Sequence, residues 1–171
     1  MLESPDDLAR LQALLDASHA RATEHLRSII SDERTLDATQ VVGLLAGMKV
    51  ISVATVTARG EPRISAMDGH FLHGAWTFST SRTSAKARHL ARRPAVSVAH
   101  VDGEQLAVFG HGRVVELAGE ELGQVDRHWT AHYGSSPLTW GDVVMWRLEP
   151  TWMVGYAFQR ERLLADRGLT G

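Results

Sequence analysis

The chain has 171 residues, no cysteine, and 18 basic against 20 acidic side chains, which gives a formal net charge of −2. This length suits one domain with a substantial core, and the near-neutral charge argues against a general affinity for nucleic acid. The lack of cysteine excludes disulfides, thiol nucleophiles and cysteine-ligated metal clusters. The first residues lack the features of a signal peptide and no apolar stretch reaches membrane-spanning length, so a cytoplasmic protein without membrane contacts is expected.

The N-terminal part of the chain has a helical pattern. Ser4 is a typical N-cap with Pro5 at the first helical position, and apolar residues then recur at helical spacing to about Ser31. This predicts one long amphipathic helix that needs a partner surface. Asp37 is the expected N-cap of a second, shorter helix at 38–46.

From Val50 onward the apolar residues follow the period of strands. The predicted strands are 50–57, 62–71, 76–79, 95–101, 105–117, 143–148 and 151–156, and further helices are predicted at 84–93 and 120–133. Gly110 and Gly112 within the fifth strand indicate a bulge or the close approach of another backbone or a ligand. The tail from Arg160 is charged and is expected to be partly disordered. Six or seven strands joined mainly by hairpins predict a mainly β (α+β) fold, an antiparallel barrel with peripheral helices.

Hydroxyl and basic side chains are concentrated where the third strand meets the following helix. A helix N-terminus offers unpaired N–H groups and the positive end of the helix dipole. Around it lie the hydroxyl groups of Ser79, Thr80, Ser81, Thr83 and Ser84 and the cations Arg82, Lys86 and Arg88. This set suits a phosphate or another anionic group. The alternative is that Ser81 or Thr83 only caps the helix, with the cations directed into water.

Residues for acid–base chemistry are harder to assign. The sequence contains no recognisable triad, paired-carboxylate signature or thiol, so no catalytic residue is assigned. His70, His73 and His100 lie at or near predicted strand ends and are candidate proton donors, although a structural or surface role is the ordinary interpretation of each. His128 and His132 share one helical face, but the glutamate of the zinc-protease motif is missing and no metal site is predicted.

The order of the elements resembles the split-barrel flavoproteins, the pyridoxamine 5′-phosphate oxidase-like and flavin/deazaflavin oxidoreductase superfamily. The resemblance covers about 41–156 and rests on three segments in sequence, 54–63, 76–79 and 84–98. It implies a split β-barrel domain at 38–158, preceded by a helical extension at 1–37 and followed by a charged tail at 159–171. It also implies a homodimer with the cofactor in a groove at the subunit interface.

The resemblance further implies a set of cofactor-binding residues. Ser79 and Lys86 match the positions that hold the cofactor phosphate, and Arg82 is expected to replace a charge that is absent at Ser84. Trp152 matches a late strand that closes the site from the partner subunit. The whole predicted set is Arg63, Ile64, Ser65, Ser79, Thr80, Ser81, Arg82, Ser84, Lys86 and Trp152. Of these, residues 63–65 match the strand beside the ring system.

The implied activity is hydride transfer between bound coenzyme F420 or FMN and a small organic substrate, because the bound ring performs this chemistry itself. F420 carries a phosphodiester and an oligoglutamate tail, which need an extended basic groove. Such a groove is indicated by Arg59, Arg63, Arg82, Lys86, Arg88, Arg92 and Arg93. F420 is therefore slightly favoured over FMN. The alternative is that several of these cations only form a solvated helix face and bind no cofactor.

Two classes of protein remain as alternatives at this stage. The first is a non-catalytic cofactor-binding or haem-binding or haem-degrading split-barrel protein, which for haem would need one of the nine histidines as an axial ligand. The second is an interaction protein that uses the N-terminal helix as a partner-binding arm.

Overall fold

The computed structural model describes residues 2–103 and 105–169. Its strands are β1 Met48–Val56, β2 Pro62–Leu72, β3 Ala75–Ser81, β4 Ala95–Asp102, β5 Leu106–Glu116 and β6 Val143–Ala157. Its helices are α1 Pro5–Ala20, α2 Glu24–Ile29, α3 Ala38–Leu44, α4 Ala85–Arg92, α5 Gly119–Tyr133 and α6 Arg160–Asp166, with a 3₁₀ turn at Pro137–Thr139. None of these helices is long and apolar enough to cross a membrane.

The six strands form a closed antiparallel barrel in the order β1-β2-β3-β6-β5-β4, with β4 pairing back to β1. Alternate side chains of the strands fill the interior, among them the fully buried Ile51, Phe78, Val108 and Leu148. The predicted mainly β barrel with peripheral helices and an additional N-terminal helix is therefore confirmed, with six strands rather than seven.

The N-terminal helical segment differs from the prediction in one respect. Instead of one helix to about Ser31, α1 ends at Ala20 and a separate helix α2 begins at Glu24. The reason is a local cap, because the Thr23 hydroxyl accepts a hydrogen bond from the Leu26 N–H at 3.2 Å and starts a new helix there. The predicted caps at Ser4 and Asp37 are confirmed, and both form capping boxes.

Helix α1 packs against the barrel and contributes to its core. Leu11 and Leu15 are buried within the main hydrophobic cluster. The hydroxyl of Ser18, which is fully buried, donates to the Leu14 carbonyl at 2.7 Å and accepts from the Met153 N–H of β6 at 3.0 Å. Helix α1 is thus joined to β6 by a buried hydrogen bond as well as by apolar contact.

The C-terminal part of the chain corrects two further predictions. The two strands expected on either side of Pro150 form one strand, β6, in which Pro150 pairs with Gly112 beside a bulge. A proline is tolerated there because the bulge interrupts the regular ladder. The tail expected to be partly disordered forms helix α6, whose Leu163 and Leu164 are buried in the core. Residues 170 and 171 of that predicted tail lie outside the described residues.

Candidate functional site

The segment that joins β3 to α4, residues 79–84, places its hydroxyl groups close together. Ser84 is the N-cap of α4, and its hydroxyl accepts from the Ala87 N–H at 3.1 Å. The Ser84 hydroxyl also lies 3.2 Å from that of Thr80, and the hydroxyls of Ser81 and Thr83 are 2.9 Å apart. The cap is therefore Ser84 rather than Ser81 or Thr83, and several hydroxyl groups surround the positive end of α4.

The cations of α4 lack the ion pairs that those of the neighbouring loops form. Lys86 is half-buried, and within residues 2–103 and 105–169 neither it nor Arg88, Arg92 or Arg93 forms an ion pair. The Arg88 guanidinium instead donates to a backbone carbonyl of its own loop. Helix α4 and its C-cap residue Arg93 thus carry four positive charges, and the described part of this chain supplies no acidic partner for any of them.

Arg82 has a different environment. Its guanidinium lies 2.7 Å from a carboxylate oxygen of Glu116 and 3.4 Å from one of Asp142. The hydrogen bonds that Arg82 donates to Glu116 raise the pKa of Arg82, and the negative charge of the same carboxylate raises it further. The sequence predicts that Arg82 binds the cofactor. An anionic ligand would have to compete with these two carboxylates for its guanidinium.

The start of β2 is held beside α4 through β1. The Thr55 hydroxyl of β1 lies 3.0 Å from Nδ1 of His89 in α4, and Thr55 pairs with Arg63 of β2. Arg63 itself is exposed and forms a 3.1 Å ion pair with Glu61. The predicted residues at 63–65 therefore lie beside the C-terminal end of β1, where β1 contacts α4. Ser79, half-buried on β3, lies towards the opposite end of β1, because the preceding Phe78 pairs with Gly69, whose partner in β1 is Lys49.

The strand register connects the remaining predicted residue, Trp152, to this region. Ile64 pairs with Ala54, Ala54 with Ser97, Ser97 with His111, and His111 with Trp152. Because directly paired residues project from the same face of a sheet, these five residues form one row, here called the outer row, across β2, β1, β4, β5 and β6. At about 4.8 Å between strands, four spacings separate Ile64 from Trp152 by roughly 19 Å along the sheet.

A groove of about 590 Å³ lies along the outer row. Its lining includes Ala54, Ser97, His111 and Thr151, so two small side chains form the floor between larger neighbours. Pockets of this volume hold small organic ligands in many proteins. Trp152 does not itself line this groove but stacks on His111, which does, and it is remote in register from the segment at 79–84.

His111 is the side chain that sequence reasoning missed. Its Nδ1 lies 2.8 Å from the Ser97 hydroxyl, and its ring stacks on that of Trp152 with centroids 4.7 Å apart and an interplanar angle of 19°. The side chain is exposed at the groove. The signal for it in the sequence was its position between Gly110 and Gly112, which places an exposed side chain beside a predicted bulge.

The three histidines considered as proton donors lie elsewhere. His70 is fully buried beneath α5, and His100 is buried with its Nδ1 2.9 Å from the Val50 carbonyl oxygen. His73 sits in the β2–β3 turn with a φ of +53° and contacts Asp7 of α1 at 3.1 Å. None of the three lines the groove.

His70 belongs to a histidine and aromatic cluster between β2 and α5. Its Nδ1 is 3.2 Å from Nε2 of His128, and its ring centroid lies 4.6 Å from that of Trp129 and 5.2 Å from that of His132. Burial, followed by the charges of His128 and His132, lowers the pKa of His70 to about 4. The described residues contain no group of three or more His, Cys, Asp or Glu side chains positioned to hold a metal ion.

We expect this cluster to make folding stability sensitive to mild acid. The pKa of His70 falls from 6.5 to about 4 on folding, so the unfolded chain binds the extra proton and the free energy of unfolding decreases as pH drops from 6.5 towards 4. The loss approaches about 3 kcal/mol at the lower limit. Urea unfolding at a series of pH values measures it.

The control is His70→Asn, whose amide can face His128 but does not titrate. This variant should show a shallower dependence on pH between 6.5 and 4, whatever its absolute stability. The carboxyl of Asp7, with a pKa lowered to about 2, affects stability only below the ordinary value of 3.8 and so does not overlap with this range. Equal slopes in the two proteins would contradict the assignment to His70.

The closed barrel with external helices defines a split-barrel protein, and the comparisons with known proteins agree. The family model described as pyridoxamine 5′-phosphate oxidase matches residues 38–155. The chain belongs to this family. No curated protein matches the sequence significantly.

Solved structures share the fold at low sequence identity. A conserved hypothetical protein of Mycobacterium tuberculosis, Rv2991, is 18% identical with a TM-score of 0.65, covering 77% of this chain and 91% of its own. An F420 reductase is 22% identical with a TM-score of 0.53 (64% and 92% covered), and a heme binding protein of Mycobacterium smegmatis is 23% identical with a TM-score of 0.53 (67% and 52% covered). These similarities establish the fold, which is shared by proteins named for different cofactors.

Proposed function

We propose that this protein is an oxidoreductase that transfers a hydride between a bound phosphate-bearing flavin or deazaflavin and a small organic substrate. The observation that carries the proposal is the start of α4, where Lys86 stands without an ion-pair partner among the described residues beside the hydroxyl groups of 79–84. Phosphate oxygens accept hydrogen bonds from hydroxyl, ammonium and backbone N–H groups. The donor set therefore fits the phosphate of such a cofactor.

In this proposal the chain binds and orients, while the bound ring supplies the hydride chemistry. Ser79, Ser84 and Lys86 hold the phosphate, and the start of β2 at 63–65 lies beside the ring. The outer row extends from Ile64 towards Trp152, and the groove lies along its middle residues, Ala54, Ser97 and His111.

F420 is favoured over FMN by the charges of α4. Lys86 and Arg88 lie near the start of the helix and Arg92 and Arg93 at its end, so the cations extend along its whole length. FMN presents a single phosphate, whereas the phosphodiester and oligoglutamate tail of F420 carry several negative charges. The ion pairs of Arg59, Arg63 and Arg82 leave α4 as the main basic surface for that tail.

A homodimer is part of the proposal because one barrel leaves an apolar outer face uncovered. Val50, Ile64 and Val101 are 59%, 72% and 57% exposed on the neighbouring strands β1, β2 and β4. Large apolar side chains exposed on one face of a barrel favour an interface. A second copy on this face would enclose the groove, and sedimentation equilibrium measures whether it forms.

The test is a parallel fluorescence titration of the purified protein with F420 and with FMN at moderate salt. We expect both to bind and F420 to have a dissociation constant at least about tenfold lower, or about 1.4 kcal/mol. Tighter binding of FMN would reverse the choice of cofactor and retain the oxidoreductase proposal. Binding of neither would overturn it.

A haem-binding protein is the second candidate, and His111 is the observation that favours it. Its ring is exposed at the groove, and within residues 2–103 and 105–169 no hydrogen bond engages Nε2, the nitrogen that would bind the haem iron. Titration with haemin distinguishes the two candidates, because a Soret shift that disappears in His111→Ala would support haem.

A further inference from the structure

We propose that the protein has a further ligand site, separate from the groove of the outer row, which binds a small organic amine with a compact apolar body. The site is a cavity of about 350 Å³, here called the Glu3 cavity. It is bounded by the segment before α1, the C-terminal end of α3, the end of β2, helix α5 and the segment after α6. The inference stands apart from the proposed function, because it uses none of the residues assigned to the cofactor.

The Glu3 cavity lies at the opposite end of β2 from the groove. Pro62, the first residue of β2, lines the groove, whereas Phe71 and Leu72 at the end of the strand line the Glu3 cavity. At about 3.4 Å per residue, the two ends of β2 are separated by roughly 34 Å along the strand. The groove and the Glu3 cavity also share no lining residue. They are therefore two distinct places on the chain.

The walls of the Glu3 cavity are mainly apolar. The apolar side chains that line it are Leu2, Val42, Ala46, Phe71, Leu72 and Leu169. The remaining wall beside α3 is formed by Gly43 and Gly47, which add no side-chain volume. A cavity of this size lies at the lower end of the range that holds small organic ligands. It therefore fits a compact molecule, such as one ring with a short side chain.

Glu3 places a negative charge in this apolar wall. Its carboxylate is half-buried and accepts hydrogen bonds from the backbone N–H groups of Leu2 and His73, each at 3.1 Å. Within residues 2–103 and 105–169, Glu3 forms no ion pair. A carboxylate that is partly removed from water is stabilised by a cation, and its oxygens have lone pairs beyond those that the two N–H groups use. This charge favours a cationic group on the ligand.

His128 is the other ionisable side chain of the lining, and it does not compete with a ligand for Glu3. Its Nε2 lies 3.2 Å from Nδ1 of the buried His70. Burial lowers the pKa of His128 below its ordinary value of 6.5, so the ring is neutral at pH 7.5. Among the described residues, no Lys or Arg lines the Glu3 cavity, and Arg127 lines an adjoining cavity of about 370 Å³ instead.

These features select an amine over other small molecules. The ammonium group of a primary amine donates charge-assisted hydrogen bonds to a carboxylate, while an apolar body attached to it contacts Phe71 and Leu72. An alcohol with the same body would keep the apolar contacts and lose the attraction between charges. A carboxylate with the same body would be repelled by Glu3.

The experiment is a calorimetric titration of the full-length, cofactor-free protein at pH 7.5 with three probes that share one apolar body. The probes are 2-phenylethylamine, 2-phenylethanol and 3-phenylpropanoate. We expect the amine to bind with a dissociation constant of about 1 mM or lower, and the alcohol to bind about tenfold more weakly or worse. Absence of amine binding would overturn the site, and equal affinities of the amine and the alcohol would overturn the role of Glu3.

Glu3→Gln tests the same role from the side of the protein. Glutamine keeps an oxygen that accepts from the His73 N–H and removes the charge, so the affinity for 2-phenylethylamine should fall about tenfold or more. The control is Glu24→Gln, which removes the same charge from an exposed side chain beyond the other end of α1, roughly 24 Å of helix away. Its affinity should stay within about twofold of the wild type. Equal losses in the two variants would overturn a contact between the amine and Glu3.

The position of the amine is measured by nuclear magnetic resonance in the ¹⁵N-labelled protein. Addition of 2-phenylethylamine should shift the backbone amide resonances of residues 42–47, which include four residues of the cavity lining. The amides of residues 95–97, which line the groove, serve as the unaffected reference. Larger shifts at 95–97 than at 42–47 would place the amine in the groove and overturn the inference.

Discussion

Replacing Gly112 by alanine should destabilise the protein by about 3 kcal/mol or more. A Cβ atom at this position would lie inside van der Waals contact with the carbonyl oxygen of Glu149 and 2.8 Å from Cα of Pro150. These are backbone atoms of β6, so the clash cannot be relieved by rotating a side chain. The strands would have to separate at the bulge, and urea unfolding measures the cost.

The matched control is Gly123→Ala in α5. Among the described residues outside its own helix backbone, a Cβ there would meet the guanidinium of Arg127 at an ordinary 3.5 Å and nothing nearer, and alanine favours a helix over glycine by up to about 1 kcal/mol. This variant should therefore be as stable as the wild type or more stable. Similar stability of the Gly112 and Gly123 variants would show that β5 and β6 are not in close contact at the bulge.

The barrel itself was predictable because its determinants are local. Alternating β-branched residues from Val50 and the turn residues between strands indicate hairpins directly. The glycines at 110 and 112 indicated a bulge or a close approach, and the structure confirms both, with a register shift at Gly112 and the β6 backbone against it. Such features are visible because each depends on only a few neighbouring residues.

The errors in the prediction arise where a side-chain cap, a bulge or burial against the barrel overrides the secondary structure that the apolar spacing alone predicts. The helical spacing of apolar residues continues past Thr23. The Thr23 side chain nevertheless caps a new helix, so α1 and α2 are two separate helices. Pro150 was expected to separate two strands, whereas a bulge at the neighbouring Thr151 of β6 allows a single strand to continue through it. The charged tail forms a helix because the burial of Leu163 and Leu164 against the barrel stabilises it.

The candidate site was predictable in part. The segment proposed to hold a phosphate is contiguous in sequence, so the position of Ser84 and Lys86 at a helix start could be predicted. His111 and Ser97 are 14 residues apart and meet only through the pairing of β4 with β5, so no local pattern reveals them. The pairing of Arg82 with Glu116 was hidden for the same reason.

Lys86→Ala should weaken cofactor binding by roughly 1.5–3 kcal/mol, or about 10- to 150-fold in the dissociation constant, with little change in folding stability. Lys86 is half-buried beside the hydroxyl segment, and no ion pair within residues 2–103 and 105–169 occupies its ammonium group. Its loss therefore removes a charge-assisted hydrogen bond to the phosphate without breaking a contact of the fold. The same fluorescence titration with F420 and with FMN measures the effect.

The control is Arg92→Ala, which removes one positive charge from the last turn of the same helix. It changes the net charge by the same amount, so a purely long-range attraction would weaken FMN binding equally in the two variants. A phosphate held at the helix start predicts instead that FMN affinity depends on Lys86 and changes less than about threefold with Arg92, because exposed charges a Debye length apart are largely screened. F420 adds a further distinction, since a tail lying along α4 would make its affinity sensitive to both residues. If neither variant alters the affinity for either cofactor, the phosphate does not bind at the start of α4.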